Sequence, residues 1–324
     1  MTLPFSAWIR PNVDTRRDGR LTLRVRSTSG SRTFAGGKYL ECKTWQPGSA
    51  GLVCQTAAGL RFALEVGPDF TVRRTPLGQS FGDVPLVTRD GTYVQTSPSE
   101  VDLISADGAT QASFSIPRVN DDQAPAGTRS YATTVAGYAV TTDRAVLAFA
   151  WDGAAAQVTR LTDGTTVTIS GFSVLGSPVV GRDGYLYVPA WLSAAGSTVR
   201  ILQLDAASLK VIRVTDTHIT TPGVDSIDLV PAPRHDLVIV VTTGTRRIQQ
   251  TVMLLDRGTT RNVHVPAGTG LHAVADTRPD SLLMFGGPAR NQVSRLDLLT
   301  GMVTRNIADL RATTGDYLMA LPTP

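Results

Sequence analysis

The stretch SPVVGRDGYLYVPAW (Ser177–Trp191) decides the fold, because the chain also contains a partial copy of it, VPLVTRDGTYVQT (Val84–Thr96). In both stretches a proline, a valine and an Arg-Asp-Gly turn stand at the same spacing, and the two copies lie 93 residues apart. Apolar and polar residues alternate after each turn, which is typical of a β-hairpin. A chain that repeats a hairpin at this distance is built from repeated units.

The rest of the chain has the same character. Short runs with alternating apolar and polar residues recur, such as VRILQLD (Val199–Asp205) and TVMLLD (Thr251–Asp256). Val, Ile, Thr and Tyr are frequent in these runs, and Gly, Asp, Ser and Pro separate them, which predicts strands joined by turns. No stretch has the sustained period of an amphipathic helix. The sequence therefore predicts an all-β protein.

Two series of predicted turns interleave along the chain. The first series follows the first strand of each unit, at Pro47–Gly48, Arg89–Gly91, Asp143–Arg144, Arg182–Gly184, Arg234–Asp236 and Arg278–Asp280. The second series consists of Gly67–Asp69, Asp107–Gly108, Asp163–Gly164, Ala206–Ser208, Gly258–Thr259 and Thr300–Gly301. Successive members of each series are about 40–55 residues apart, which is the length of one four-stranded unit in blade repeats.

The second series also carries a family resemblance. LQLDAASLKVIRV (Leu202–Val214), MLLDRGTTRNVHV (Met253–Val265) and RLDLLTGMVTRNI (Arg295–Ile307) each consist of a strand, Leu-Asp, a short polar turn and a strand. The first and third stretches resemble the outer hairpin of blades in bacterial β-propellers of the YVTN and quinoprotein-like (PQQ-like, WD40-like) superfamily. The resemblance implies a fold but no catalytic residue. The tryptophan that closes quinoprotein repeats, the GH…WD pattern of WD40 repeats and a convincing sialidase Asp-box are missing, so quinone, sialic acid and calcium are not carried over.

We predict a seven-bladed β-propeller that forms a single domain over residues 1–324. Six complete units start near residues 38, 83, 137, 176, 226 and 270, and residues 1–36 join the strand at 316–322 to complete the closing blade. Pairing the C-terminal strand with the N-terminal blade removes two exposed strand edges. A ring of six blades is the fallback, and a pair of β-sandwiches is the alternative architecture.

Charge and hydropathy restrict the partners. The net charge is +4, but the arginines are scattered singly or in pairs, and lysine occurs only at positions 38, 43 and 210. Nucleic-acid binding needs a concentrated basic stripe, so no nucleic-acid partner is predicted. No apolar run approaches the ~20 residues of a transmembrane helix, and the N-terminal segment lacks the pattern of a signal peptide. We expect a protein, peptide or glycan partner.

Cys42 and Cys54 lie at equal distances from Gly48 in the Pro47–Gly48 turn. In a hairpin centred on that turn they face each other, with Cβ atoms ~4.5–5.5 Å apart, which modest adjustment would bring to disulfide geometry. A disulfide would favour an extracytoplasmic location, either secreted or in the cell envelope. The alternative is a cytoplasmic protein with two packed thiols. The spacing lacks the four-ligand pattern of a zinc site, and no metal or cofactor is predicted.

Ligands of propellers usually bind on the face that carries the connections between blades and between second and third strands. Trp151 and Trp191 each end the second strand of neighbouring units, and an aromatic ring at such a rim is a platform for a sugar or a peptide. The alternative is that each ring plugs the groove between two blades. The further ligand-binding candidates on this face are Asp121, Asp122, Arg129 and Tyr131 in the long connection Pro117–Gly137, and Asp152, Arg246, Arg290 and Asn291 in other connections.

Catalytic motifs are missing, since the sequence has no G-x-S-x-G, H-E-x-x-H or P-loop pattern. A second predicted connection, Thr215–Ser226, carries His218 and Asp225. Of the four histidines, only His218 and His272 are placed where they could share a pocket, and Asp225 is a third acid/base candidate. We therefore expect a non-catalytic binding module, for instance the extracellular part of a larger envelope protein of actinobacterial type. The alternative is a propeller enzyme, a lyase or hydrolase that acts on a polar small molecule at the central funnel.

Overall fold

The computed structural model describes strands along the whole chain and, in its central part, most of the turns as well. The described residues are 5–10, 22–27, 30–35, 39–43, 51–56, 60–66 and 72–78, then 85–309 apart from 118–132, 152–155, 170, 173, 192–196, 221–222, 244–248, 267–268, 270–271, 277 and 286–291, and finally 317–322.

All regular secondary structure in this described part is β-strand, which confirms the all-β prediction. In chain order the strands are β1 (Phe5–Arg10), β2 (Thr22–Ser27), β3 (Gly30–Ala35), β4 (Tyr39–Lys43), β5 (Gly51–Thr56), β6 (Arg61–Val66), β7 (Val72–Gly78), β8 (Leu86–Val87), β9 (Thr92–Ser97), β10 (Glu100–Ile104), β11 (Thr110–Ser115), β12 (Thr134–Val140), β13 (Val146–Trp151), β14 (Ala156–Arg160), β15 (Thr166–Ile169), β16 (Val174–Leu175), β17 (Val179–Val180), β18 (Leu186–Trp191), β19 (Thr198–Leu204), β20 (Val211–Thr220), β21 (Val224–Ala232), β22 (His235–Thr243), β23 (Gln249–Asp256), β24 (Thr259–Val263), β25 (His272–Ala275), β26 (Ser281–Phe285), β27 (Gln292–Asp297), β28 (Val303–Asp309) and β29 (Tyr317–Pro322).

The described strands form six four-stranded sheets and one five-stranded sheet, and in each sheet neighbouring strands pair in an antiparallel manner. We number the sheets along the chain. The first contains β1, β2, β3 and β29, the second β4–β7, the third β8–β11, the fourth β12–β15, the fifth β16–β20, the sixth β21–β24 and the seventh β25–β28. In the fifth sheet, β16 and β17 both pair with β18, as two pieces of one interrupted first strand.

The first sheet joins the two ends of the described chain. β29 pairs with β1 along its full length, from Phe5 opposite Pro322 to Arg10 opposite Tyr317. β2 and β3 complete this sheet on the other side of β1. A strand from the C-terminal part of the sequence is therefore a neighbour of the first strand.

The cores lie between consecutive sheets rather than inside any one of them. Phe149 of the fourth sheet and Val188 of the fifth belong to one buried cluster, and Ile239 of the sixth sheet shares another with Ile201 of the fifth. The second strands supply most of this core, since β13 and β18 are buried at every position except the last, whereas the outer strand β11 is half-buried or exposed throughout. Alternation of side chains across each strand lets one sheet pack on both neighbours.

Tight turns close the hairpins at one end of the sheets. Gly301, in the turn between β27 and β28, has a φ of +71°, which suits glycine because it has no Cβ. Asp297 accepts hydrogen bonds from the backbone N–H groups of Leu299 and Thr300 at 3.0 and 2.8 Å. The Asp and Gly signals that predicted these turns therefore have the expected local roles.

Candidate binding face

Each sheet has two chemically different ends. Because the strands alternate in direction, the first-to-second and third-to-fourth links lie at one end, which we call the turn end. The second-to-third links and the links between sheets lie at the opposite end, which we call the connection end. The residues predicted to bind a ligand are expected at the connection end.

Trp151 and Trp191 occupy equivalent positions at the connection end. Each is the last residue of a six-residue second strand, VLAFAW in β13 and LYVPAW in β18, and the two strands share the same burial pattern. Each tryptophan stands opposite a residue of the first strand of its sheet, Thr134 for Trp151 and Val174 for Trp191. Both rings are half-buried. The two neighbouring sheets therefore each place a partly accessible indole at the same rim.

The two tryptophans lie beside different apolar clusters. Trp151 packs against the apolar cluster between the fourth and fifth sheets. Trp191 lies on the same side of β18 as Tyr187, because the two are four residues apart in a regular strand, and Tyr187 belongs to the cluster between the fifth and sixth sheets. Trp151 therefore packs against the following sheet, and both tryptophans keep part of their surface accessible. Groove packing and ligand contact are therefore compatible.

Two buried glutamines hold the chain on either side of the longest connection, residues 118–132. Gln95 on β9 donates through Nε2 to the Thr133 carbonyl at 2.8 Å and accepts through Oε1 from the Val135 N–H at 2.9 Å. Gln157 on β14 donates to the Pro117 carbonyl. Both glutamines are 2% exposed. Both roots of this connection are therefore fixed by side-chain amides that reach across to the neighbouring sheet.

Eight of the predicted ligand contacts fall outside the described residues and stay predictions. They are Asp121, Asp122, Arg129, Tyr131, Asp152, Arg246, Arg290 and Asn291.

The predicted connection around Thr215–Ser226 is largely wrong. β20 continues to Thr220 and β21 begins at Val224, so only three residues separate the two strands. The β-branched residues of this segment extend the strand, and a bulge accommodates them. The register between β19 and β20 shifts between Thr198 and Arg200, and the Thr217 hydroxyl donates to the Val199 carbonyl at 2.7 Å.

His218 lies in this bulge and has a φ of +59°. Its backbone N–H donates to Asp216 Oδ1 at 2.7 Å, and the Thr198 hydroxyl donates to Asp216 Oδ2 at 2.8 Å. Burial raises the pKa of the Asp216 carboxyl, but these two hydrogen bonds outweigh it and hold the pKa below its usual range. The His218 side chain is 86% exposed, with Nδ1 3.7 Å from Asp216 Oδ1. A positive φ in a histidine is a recognised mark of local strain.

The other acid/base candidates lie on first strands. Asp225 is near the start of β21 in the sixth sheet, and His272 is the first residue of β25 in the seventh sheet, opposite Phe285. Their side chains are outside the described part, and His218 lies on the outermost strand of the fifth sheet. A pocket shared by His218 and His272 therefore stays a prediction.

Three residues of this face were not predicted from the sequence: Gln95, Gln157 and Asp216. Gln95 gave only a weak sequence signal, because it is a polar residue beside Val94 in a buried strand, and a buried polar side chain needs hydrogen-bond partners. Its partners lie 38 and 40 residues away in sequence, so no local pattern could identify them.

Within the described ranges, no group of three His, Cys, Asp or Glu side chains could hold a metal ion. None of the described segments forms a helix with the length and apolar character that a membrane crossing requires.

Comparison with known proteins supports the fold. No family model matches the chain, and no curated protein matches its sequence. Among solved structures, a proposed 6-phosphogluconolactonase from Bacteroides uniformis superposes with a TM-score of 0.60 at 12% identity, over 98% of this chain and 100% of that protein. A second proposed 6-phosphogluconolactonase, from Bacteroides fragilis, gives a TM-score of 0.60 at 14% identity, over 98% of each chain.

An enzyme of different activity matches less closely. A catalytically inactive virginiamycin B lyase from Staphylococcus aureus, solved with quinupristin, gives a TM-score of 0.50 at 11% identity, over 78% of this chain and 82% of the lyase. Identities this low speak for the fold alone, because one fold carries many functions. The chain has the β-propeller fold.

Proposed function

We propose that the protein is a non-catalytic binding module that recognises a glycan, a peptide or a protein segment at the connection end. The observation that carries the proposal is the equivalence of Trp151 and Trp191, each half-buried at the last position of a second strand in neighbouring sheets. An indole with a packed base and an accessible face loses little conformational freedom on binding and offers a large apolar surface. Gln95 and Gln157 support this end by holding the roots of the longest connection.

The test is a titration with defined probes. Chitopentaose, cellopentaose and a proline-rich peptide are added in turn, and binding is followed by calorimetry. Trp151→Ala and Trp191→Ala should each weaken the binding of the same probe by about tenfold or more, which corresponds to about 1.4 kcal/mol. Trp8→Ala, in β1 of the first sheet, is the matched control. Binding that survives both substitutions would contradict the proposal.

The alternative is an enzyme, a lyase or hydrolase that acts on a polar small molecule. The strained backbone of His218 and its neighbour Asp216 favour it, and three structural neighbours are named as enzymes. Incubation with 6-phosphogluconolactone and with quinupristin, followed by mass spectrometry, tests this role. Turnover that disappears in His218→Ala or His272→Ala would establish the enzyme and overturn the non-catalytic part of the proposal.

We further propose that the chain is one domain and that its sheets are seven blades of a closed ring. The pairing of β29 with β1 supports closure, and the apolar clusters between consecutive sheets support a radial arrangement. Cysteines introduced at Ala7 and Ala320, which are register partners, should cross-link on oxidation. Cysteines at Ala7 and Leu318 should not. Class averages from negative-stain electron microscopy would give the blade number, and six lobes would contradict seven.

The cysteine pair supports a proposal about location. Cys42 on β4 stands directly opposite Cys54 on β5, and Cys54 is fully buried. This register supports the proposal of a cross-strand disulfide, and such a bond favours an extracytoplasmic protein. Peptide mapping of natural protein without reduction should recover the peptides of Cys42 and Cys54 as one linked species. Recovery of both peptides separately, with alkylated thiols, would contradict the bond and the location together.

A further inference from the structure

The turn end carries a feature that the proposed function does not use. The turn between the first and second strands contains an exposed arginine in each sheet from the third to the seventh, and these residues are Arg89, Arg144, Arg182, Arg234 and Arg278. An aspartate stands beside or close to each of them in the same turn. The same pair of residue types is therefore presented at the same place in five consecutive sheets.

Three of these turns touch one another. The Arg182 N–H of the fifth sheet donates to the Asp236 carbonyl of the sixth sheet at 3.3 Å. The Arg234 guanidinium of the sixth sheet donates to Asp280 of the seventh sheet at 2.7 Å. Because consecutive turns are in contact, Arg182, Arg234 and Arg278 belong to one continuous surface.

Most of these guanidinium groups have no acceptor of their own. Within the described part of the chain, the side chains of Arg89, Arg144, Arg182 and Arg278 make no hydrogen bond or ion pair, whereas Arg234 is paired with Asp280. Each guanidinium presents five N–H donors in a planar fork that matches a carboxylate. The surface therefore offers a row of solvent-facing guanidinium groups that no described protein group engages.

The neighbouring aspartates are turned to their own protein instead. Asp183 accepts hydrogen bonds from the Tyr187 hydroxyl at 2.7 Å and from Gln203 Nε2 at 3.2 Å. Asp236 accepts from the Arg257 N–H at 2.6 Å, and the Thr141 hydroxyl donates to Asp143. Most aspartates at this surface therefore have partners within the protein, whereas most of the arginines do not. The five turns hold five arginines and six aspartates, which are Asp90, Asp143, Asp183, Asp236, Asp276 and Asp280.

We propose that this row of arginines is a second interaction surface, which binds an acidic polypeptide segment of a partner protein. A carboxylate can accept two parallel bonds from one fork, which makes Arg–carboxylate pairs short and specific. Nucleic acid fits less well, because a duplex carries one phosphate charge per ~1.7 Å and would set phosphates against the aspartates between the arginines. A peptide with spaced carboxylates meets the forks and avoids those aspartates. The surface lies at the opposite end from Trp151 and Trp191, so this proposal does not depend on the proposed function.

The test compares two double variants of equal charge. Arg182→Gln with Arg278→Gln removes two forks of the row, and Arg261→Gln with Arg305→Gln removes two exposed arginines of the outer strands β24 and β28. The probe is a fluorescein-labelled peptide of alternating glutamate and glycine, with a glutamine–glycine peptide and duplex DNA as comparisons. Fluorescence anisotropy gives the affinities, and circular dichroism checks that both variants are folded.

We expect the acidic peptide to bind the wild type, to bind the first variant about tenfold more weakly, and to bind the second as it binds the wild type. Equal weakening in both variants would reduce the effect to net charge and overturn the proposal. So would an acidic peptide that fails to bind, or one that binds more weakly than duplex DNA. Trp151→Ala should leave this affinity unchanged, so the failure of one proposal is distinguishable from the failure of the other.

Discussion

The conformation of the hairpin turns and the roots of the long connection are held by interactions of different range, although Arg234 also joins two turns of neighbouring sheets. At the turn end, Asp297 bonds the backbone of Leu299 and Thr300, two and three residues away. At the connection end, Gln95 bonds Thr133 and Val135, which lie 38 and 40 residues away. The difference teaches that a propeller repeat specifies its own hairpin turns locally, whereas the face that carries its connections depends on contacts between sheets.

The largest effect is expected at the connection end. Gln95→Leu leaves the Thr133 carbonyl and the Val135 N–H buried without their partner, which should lower the free energy of unfolding by about 3 kcal/mol. Gln111→Leu, at an exposed position of β11, is the control and should change it by less than about 0.5 kcal/mol. Urea unfolding measures both. Similar changes in the free energy of unfolding for the two variants would show that the long-range bonds of Gln95 do not stabilise the connection end.

Two glycines at the turn end allow the cost of a positive φ to be measured separately from the cost of a steric contact. Gly164 and Gly301 have nearly the same φ, +72° and +71°, but a Cβ at Gly164 would meet nothing within 4 Å, whereas one at Gly301 would meet the His264 carbonyl of the preceding sheet. Gly164→Ala should cost about 1 kcal/mol for the backbone conformation alone, and Gly301→Ala about 2–3 kcal/mol. Thermal unfolding of the two variants tests this order, and equal costs would show that the inter-sheet contact does not matter.

Arg160 tests whether bonds between sheets also stabilise the turn end. It lies at the turn end of the fourth sheet, but its Nη2 donates to the Ala206 and Ala207 carbonyls of the fifth sheet at 2.8 and 2.6 Å. Arg160→Met keeps much of the packing and removes these bonds, so it should cost about 1.5 kcal/mol in urea unfolding. Asp163→Asn keeps both inter-sheet bonds and serves as control. If Arg160→Met left the free energy of unfolding unchanged, the bonds from Arg160 to the fifth sheet would not stabilise the turn end.

The smallest effect is a pH dependence at a local turn. The backbone N–H and hydroxyl of Thr300 donate to Asp297 and hold the pKa of its carboxyl below the ordinary value of 3.8, against the opposing effect of burial and with help from the Leu299 N–H. A lowered pKa in the folded state stabilises the fold above the unfolded value and loses that contribution as the pH falls through the folded value. The wild type should therefore lose stability more steeply than Asp297→Asn below about pH 4. Parallel curves in acid would show that this turn does not depend on the charge.

Most of the sheet architecture was predictable from sequence. The strands at Leu186–Trp191 and Ser281–Phe285, and the turns between them and their neighbours, fall where alternation and Asp-Gly signals placed them. The predicted connection Thr215–Ser226 is largely wrong, because a bulge at His218 lets β20 continue to Thr220. A bulge depends on the partner strand, so it has no local signature.

The candidate site divides in the same way. The positions of Trp151 and Trp191 at the ends of second strands followed from the repeat alone. The repeat did not predict that Gln95 and Gln157 would bond residues 117 and 133–135. It also did not predict the contact between neighbouring arginine turns.

By itself, the sequence determined the all-β character, the four-stranded unit and the turn chemistry, because these depend on side-chain alternation and on backbone preferences within a few residues. Only the tertiary structure decided which buried amides and guanidinium groups meet partners in a neighbouring sheet and which face outward. Such partners are chosen by the packing of sheets whose residues are some 40 positions apart, and hydrogen-bond satisfaction in a buried interface is a property of the assembled surfaces rather than of either strand.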